Sequence, residues 1–310
     1  MVSVDALAGV FPASRPGEDD AAEALTARVA LSLPTCVLGM PGVAIPLFAC
    51  ASAGGEGDAP GCRQGNTGTF YWRGASEGLL RALFSADAVD VGDDCGEHPS
   101  HALARAENVL EIGAGLGGAG IGVAIGLAEA ARKRAKPVRV VITDGSAEVV
   151  AASQRNVDEV LRDESNAATD HLRAAVAEGS MDVTCETLLW GLVNHDALFE
   201  RHPDAFDIIV GCDIVYNNDH LPMLFATIHR LLTTRRERSA NANPLAVVAF
   251  RDRSRHSPLH PNLDNVIAAA LASRKGGLCA EVLAGDYRGS EAAYEGAAGD
   301  CEIIVFTLAA

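Results

Sequence analysis

Aromatic residues are scarce in this chain: they make up 5% of its 310 residues, and its two tryptophans are Trp72 and Trp190. Positive charge is short as well. Lys and Arg number 25 against 41 Asp and Glu, a formal net charge of −16. A surface that tracks phosphates needs clustered cations, so no nucleic-acid partner is expected. An acidic protein suits a basic partner, such as a Lys-rich protein segment. The eight cysteines form no C-x-x-C pair, and no histidine cluster stands at metal-ligand spacing, so no metal is expected. Cys185, Cys212 and Cys301 fall in apolar runs and read as buried thiols, which suits a reducing compartment. The first residues, Met-Val-Ser-Val-Asp, lack the basic stretch that opens a secretory signal. The apolar stretch 29–52 is broken by Pro34, Pro41 and Pro46, which argues for short strands and against a membrane helix. No internal repeat is present. These absences together predict a soluble, cytoplasmic protein that works as a monomer.

What is present is a 48% hydrophobic chain, ample for a sizeable core. Residues 1–65 read as an N-terminal extension with short strands between 28 and 50. Residues 66–310 read as the main domain. Leu79, Leu80 and Leu83 predict a helix over 72–84, and the polar stretch 87–101 reads as a surface connection. From residue 108 strands and helices alternate. Strands are predicted at 109–112, 138–143, 181–188, 206–211 and 245–250. Helices are predicted at 118–133, 147–161, 220–232 and 262–274. Such alternation implies an α/β fold, a Rossmann-like, mostly parallel sheet with helices on both faces. Two last strands, 278–283 and 301–308, have no helix between them and predict an antiparallel hairpin at one edge. The connections 162–180 and 233–244 read as surface insertions.

Parallel sheets bind ligands outside the carboxyl ends of their strands, where strand order reverses. The first strand–helix turn carries Glu111-Ile-Gly113-Ala-Gly115-Leu-Gly117-Gly118. Its glycines let the backbone approach a ligand closely, and the helix beyond offers free N–H groups. A dinucleotide pattern is also satisfied, by Gly113, Gly115 and Gly118. Two features favour S-adenosylmethionine instead. Glu111 at the strand end would repel a pyrophosphate but suits a cationic amino-acid end. Asp144, at the end of the next strand, lies further past the glycines than the ~20 residues of the dinucleotide fingerprint. It remains placed to accept hydrogen bonds from ribose hydroxyls.

A second constellation, Gly211-Cys212-Asp213-Ile-Val-Tyr216, ends the strand at 206–211. An aspartate directly after a buried strand is costly unless solvated or bonded. Capping the next helix is the structural alternative, but Asn218 and Asp219 stand closer to that helix. Asp213 and the Tyr216 hydroxyl could accept N–H bonds from an amine and aim its lone pair at a methyl group. Trp190, after the strand at 181–188, could stack on an adenine or serve only packing.

Taken together, the glycine loop with Glu111, Thr143-Asp144-Gly145, Trp190-Gly191 and Asp213-Ile-Val-Tyr216 resemble the seven-β-strand protein-lysine methyltransferases of methyltransferase family 16. Asn66-Thr-Gly68 through Trp72 is similar to that family's N-terminal signature. The resemblance implies that Trp72, Glu111, Gly113, Gly115, Gly117, Asp144, Gly145, Trp190 and Cys212 surround S-adenosylmethionine. It implies that Asp213 and Tyr216 line a lysine channel, and that the substrate is a protein. Residues 247–254 resemble the members that modify translation elongation factor 2. The Asn-Thr-Gly and Thr-Asp-Gly strings resemble the calmodulin-modifying members. Leu189 departs from the family, which often carries an acidic residue before Trp-Gly. The readings that compete with a protein-lysine methyltransferase are an enzyme acting on a small molecule or another residue type, and a catalytically silent binding module on the same fold.

Overall fold

A computed structural model describes residues 27–33, 37, 43–49, 73–85, 97–191, 195–254, 257–273, 277–283 and 301–309. Strands β1 (Ala27–Leu33) and β2 (Val43–Ala49) pair antiparallel in a two-stranded sheet of their own. Helices α1 (Arg73–Phe84) and α2 (Pro99–Arg105) follow. The main alternation runs β3 (Asn108–Ile112), α3 (Gly118–Ala131), β4 (Val138–Asp144), α4 (Ala147–Arg162), α5 (Asp170–Ala177), β5 (Met181–Thr187), α6 (His195–Arg201), β6 (Ile208–Cys212), α7 (Leu221–Arg238), β7 (Leu245–Arg251), α8 (Leu263–Leu271), β8 (Leu278–Val282) and β9 (Cys301–Leu308).

The runs Asn-Val-Leu-Glu-Ile, Ile-Ile-Val-Gly-Cys and Leu-Ala-Val-Val-Ala-Phe are almost continuously apolar, as strands covered on both faces must be. They become β3, β6 and β7, in the middle of a seven-stranded sheet of order β5-β4-β3-β6-β7-β9-β8. Every neighbouring pair from β5 to β7 is parallel, whereas β9 runs antiparallel to both β7 and β8. The expected hairpin is therefore present, and its second strand, β9, lies between β7 and β8 so that β8 forms the edge. This is the mostly parallel, Rossmann-like arrangement that the sequence predicts.

Side chains alternate between two cores. Leu110 and Ile112 of β3 pack with Phe199 of α6, Phe225 of α7 and Val266 of α8 on one face. Val109 packs with Val123 of α3, Val157 of α4 and Leu172 of α5 on the other. Ile45 and Leu47 of β2 join this second core, with 1% and 0% exposure.

Two expectations are corrected. The connection 162–180 is not a bare surface insertion, because it contains α5, which buries Leu172 and Ala175. Two buried positions in eight residues are too short a signal for a helical period to emerge. In the second connection, 233–244, α7 continues through Arg238, further than its predicted end at 232. That extension, Thr-Thr-Arg-Arg-Glu-Arg, is polar, yet Arg and Glu are strong helix formers. The stretches 87–101 and 188–206 were assigned no helix and contribute α2 in part and α6.

The chain moves outward from β3 to β4 and β5, then returns to place β6 on the other side of β3. Strand order reverses between β3 and β6, and a crevice opens at their carboxyl ends. Helix α3 must lie close over this point. Gly120 permits it: a Cβ there would stand 2.5 Å from Glu111 Oε2 and 2.7 Å from Ile142 Cγ1. Gly120→Ala is expected to destabilise the protein by about 1–3 kcal/mol through overpacking. That outweighs the ~1 kcal/mol that alanine gains in helix propensity. Denaturant unfolding that shows Gly120→Ala equal to or more stable than wild type would contradict the close approach.

Candidate active site

The turn after β3 is shaped by three residues in the left-handed region: Gly113 (φ 63°), Gly115 (φ 56°) and Gly117 (φ 78°). Gly113 also has no room for a side chain. A Cβ there would stand 2.7 Å from Ile214 Cγ2 and 3.0 Å from Trp190 Cζ2. Residues from three separate strand exits thus converge on one glycine.

Glu111 is 1% exposed and lies beneath the loop, where its Oε2 accepts the Gly120 N–H at 2.9 Å. Burial pushes its carboxyl from an ordinary 4.5 up to about 8; the Gly120 bond opposes the shift, and the charge on Asp144 adds to it. One oxygen of the carboxylate expected to face a cationic ligand therefore binds the loop's own framework. Asp144 ends β4 and binds the loop from the side. Its Oδ2 accepts the Gly115 N–H at 3.1 Å and its Oδ1 the Ser146 N–H at 3.0 Å. Burial raises its pKa, and the N–H bonds from Ser146, Gly115 and Gly145 hold it down. A carboxylate offers about four lone-pair sites, so Asp144 retains acceptor capacity for a ligand hydroxyl. Gly145 lies beside Leu189, whose Cδ2 is 3.4 Å from where its Cβ would be.

Trp190 follows β5 and is half-buried over Gly113. Its ring meets the His220 ring edge-on, with centroids 6.5 Å apart, and the Tyr216 ring also meets His220 edge-on, at 5.7 Å. His220 thus links Trp190 and Tyr216 in one aromatic cluster beside the glycine loop. His220 was not singled out in the sequence, and a lone histidine at a helix start carries no signal that could have found it. Cys212 ends β6, where it shares a hydrogen bond with Ser76 of α1 at 3.2 Å. Burial drives its thiol well above the ordinary value. Trp72 lies outside the described residues, as does the segment 66–71.

Asp213 follows Cys212 in a left-handed conformation, φ 56°, that few residues other than glycine adopt. Its N–H is held by the Ala249 carbonyl of β7 at 2.9 Å, and the residue is 6% exposed. Both carboxylate oxygens are taken by one partner. Arg253, just past β7, donates Nη1 to Oδ1 at 2.8 Å and Nη2 to Oδ2. Ile214 and Val215 then turn into the core, at 4% and 2% exposure, and Tyr216 is half-buried at the rim. The Tyr216 carbonyl accepts from His260 Nδ1 at 2.6 Å, and the Asn218 N–H is bound by the Leu259 carbonyl at 3.0 Å. Asp213 does not cap the next helical turn; Asn217 does, accepting the Asp219 N–H at 2.9 Å. Among the described residues no three His, Cys, Asp or Glu gather as metal ligands, and no helix is long and apolar enough to cross a membrane.

The sheet order and the glycine turn place the chain in the Rossmann-like α/β class. The model of a lysine methyltransferase family matches residues 88–257, more than half of the chain, and the chain belongs to that family. It is thereby an S-adenosylmethionine-dependent methyltransferase. Similar solved structures include the O-methyltransferase TomG from Streptomyces achromogenes in complex with SAM. It is 17% identical, with 76% of this chain and 90% of that one covered and a TM-score of 0.36. Another is an O-methyltransferase from Bacillus cereus in complex with SAH, 18% identical, with 75% and 90% covered and a TM-score of 0.35. No curated protein matches the chain in sequence.

Glu111 supplies a test of the loop's framework. The unfolded chain ionises it near 4.5 and the folded chain near 8. Between those values the folded state holds the extra proton, so its stability falls as pH rises and levels off above about pH 8. Glu111→Gln cannot ionise and escapes this fall. The difference in Tm, variant minus wild type, is expected to grow from about pH 5 to about pH 8 and then stay flat. A difference independent of pH would show that Glu111 is ionised in the folded protein.

Proposed function

We infer that this protein transfers methyl groups from S-adenosylmethionine to a lysine side chain of a protein substrate. The observation that carries the reading is the convergence at Gly113. Trp190 and Ile214 both reach that glycine, so the Asp213–Tyr216 turn stands directly beside the glycine loop.

The residues fit the donor. The positive-φ glycines 113, 115 and 117 let the loop's backbone come close to a ligand, Asp144 keeps acceptor sites for ribose hydroxyls, and Trp190 offers an aromatic ring beside the loop. Glu111 serves this site from below by fixing α3. When bound, the donor supplies a sulfonium-linked methyl group open to in-line attack. The chain's own task is to present a neutral amine. A lysine with an ordinary pKa of ~10.4 is mostly protonated at neutral pH, so its proton must leave before transfer. Asp213 and Tyr216 line the path of that amine. Arg253 uses two of the four lone-pair sites on Asp213, which leaves others to accept amine N–H bonds and orient the lone pair. Ile214 and Val215 form the apolar backing of the turn. The excess of carboxylates over cations suits a basic protein segment as partner.

Incubation with tritiated S-adenosylmethionine and a cell lysate tests the reading. Label on lysine in a protein band is the expected result. Label confined to small molecules or to other residue types, with donor binding established by calorimetry, would exclude it. Two variants separate the halves of the site. Asp144→Ala is expected to weaken S-adenosylhomocysteine binding by about tenfold or more, through loss of a charged acceptor. Asp213→Ala is expected to cut turnover by about a hundredfold or more while that affinity changes little. Full turnover in Asp213→Ala would remove the residue from the acceptor site.

A further inference from the structure

The pairing of Asp213 with Arg253 was not visible from the motifs, and its placement is unusual. One partner leaves β6 and the other leaves β7, so the pair bridges two strand exits at the crevice rim. The Asp213 side chain is 1% exposed and that of Arg253 18%. The fork is two-pronged, so it fixes the plane of the carboxylate as well as its position. It also makes the pair formally neutral at the place where the acceptor amine is read.

We propose that Arg253 is a positioning residue for methyl transfer: it neutralises Asp213, so that the acceptor site takes the target lysine as a neutral amine. An unpaired Asp213 would be a buried anion. It would hold a lysine as the ammonium ion, which binds well and has no lone pair to react. With Arg253 in place the carboxylate still accepts N–H bonds but offers no net charge to stabilise the ammonium form. The inference rests on the lysine-methyltransferase reading above.

The other ionisable groups around the pair are on neighbouring elements. Arg251 ends β7, Cys301 and Glu302 begin β9, and Cys212 ends β6. Tyr216, His220 and His260 lie along the following turn and its strap. Burial pushes the Cys301 thiol to about 12 and the Cys212 thiol well above its ordinary value, so both stay neutral across the working range. All of these groups are common to wild type and variants, and a difference between them belongs to Arg253.

The experiment measures tritium transfer from S-adenosylmethionine to acid-precipitable lysate protein between about pH 6.5 and pH 9.5, for wild type, Arg253→Gln and Arg253→Lys. S-adenosylhomocysteine affinity and Tm are measured alongside. An opposite charge close by moves a titration by about 1–3 units. Arg253→Gln is therefore expected to move the rising limb of the saturated rate up by about one unit or more and to lower the half-saturating lysate concentration. Arg253→Lys loses the fork but keeps the charge, and its limb is expected to return to the wild-type position. A purely structural role predicts lower rates with an unmoved limb in both variants, and that result overturns the proposal. A limb displaced in Arg253→Lys overturns it too; should Arg253→Gln fail to fold, Arg253→Met, which keeps an apolar stem without the charge, takes its place with the same expected displacement. If wild type labels protein on residues other than lysine, or not at all, the functional reading falls and takes this inference with it. If wild type labels lysine and the limb does not move in Arg253→Gln, this inference falls alone.

Discussion

The crevice depends on a buried hydrogen bond between a carboxylate and one helical N–H. Glu111 sits under the glycine loop and binds Gly120 inside α3. That contact brings the helix so close to β3 and β4 that residue 120 has no space for a methyl group. The loop is then bound laterally by Asp144 through the Gly115 N–H. Ser153 and Asn156 of α4 complete the frame, donating to the carbonyls of Gly115 and Leu116 at 2.5 and 3.0 Å. A loop with three residues at positive φ would have many conformations in isolation. Here the Gly115 N–H and the carbonyls of Gly115 and Leu116 are taken by side chains from β4 and α4, which restricts it.

Much of the fold was legible because the strands carry their own signal. β3, β6 and β7 are short apolar runs ended by polar or glycine-rich turns, and the glycines of residues 113–118 mark the first crossover. What escaped was short or polar. α5 has two buried residues, and the last turns of α7 read as charged loop although Arg235 there binds Asp207 at 2.5 Å and anchors the opposite end of the sheet. Asp207 in turn accepts the N–H groups of Glu107 and Asn108, which sets where β3 begins. Such a junction joins residues a hundred positions apart and leaves no periodic trace.

The candidate site was legible as residue types more than as contacts. Glu111, Asp144 and Asp213 were each singled out from position alone, as acids that follow or end a buried strand. For each, the sequence suggested a ligand as the missing partner. The structure supplies partners within the chain: Gly120 for Glu111, Gly115 and Ser146 for Asp144, and Arg253 for Asp213. The rule that a buried acid needs a partner was sound, but it cannot say which partner when every candidate arrives by tertiary contact. Arg253 lies beyond the next strand exit, in a stretch noticed only for its likeness to another family member.

The three acids also reveal a common constraint. They stand at adjacent strand ends in an apolar crevice, where three like charges would oppose one another strongly. Each is relieved by a different means. Glu111 is pushed toward its protonated form, Asp144 is surrounded by backbone N–H donors, and Asp213 is paired with a cation. The protein carries sixteen excess negative charges, yet of these three acids Glu111 is held toward its neutral form and Asp213 is matched by a cation, which leaves Asp144. Under the lysine-methylation reading proposed above, a cationic donor and an amine acceptor that must be neutral make opposite demands on one small volume. Charge kept at Asp144 and cancelled at Asp213 suits both. The glycine loop lies between these two residues, which is why its shape has to be held so firmly from beneath.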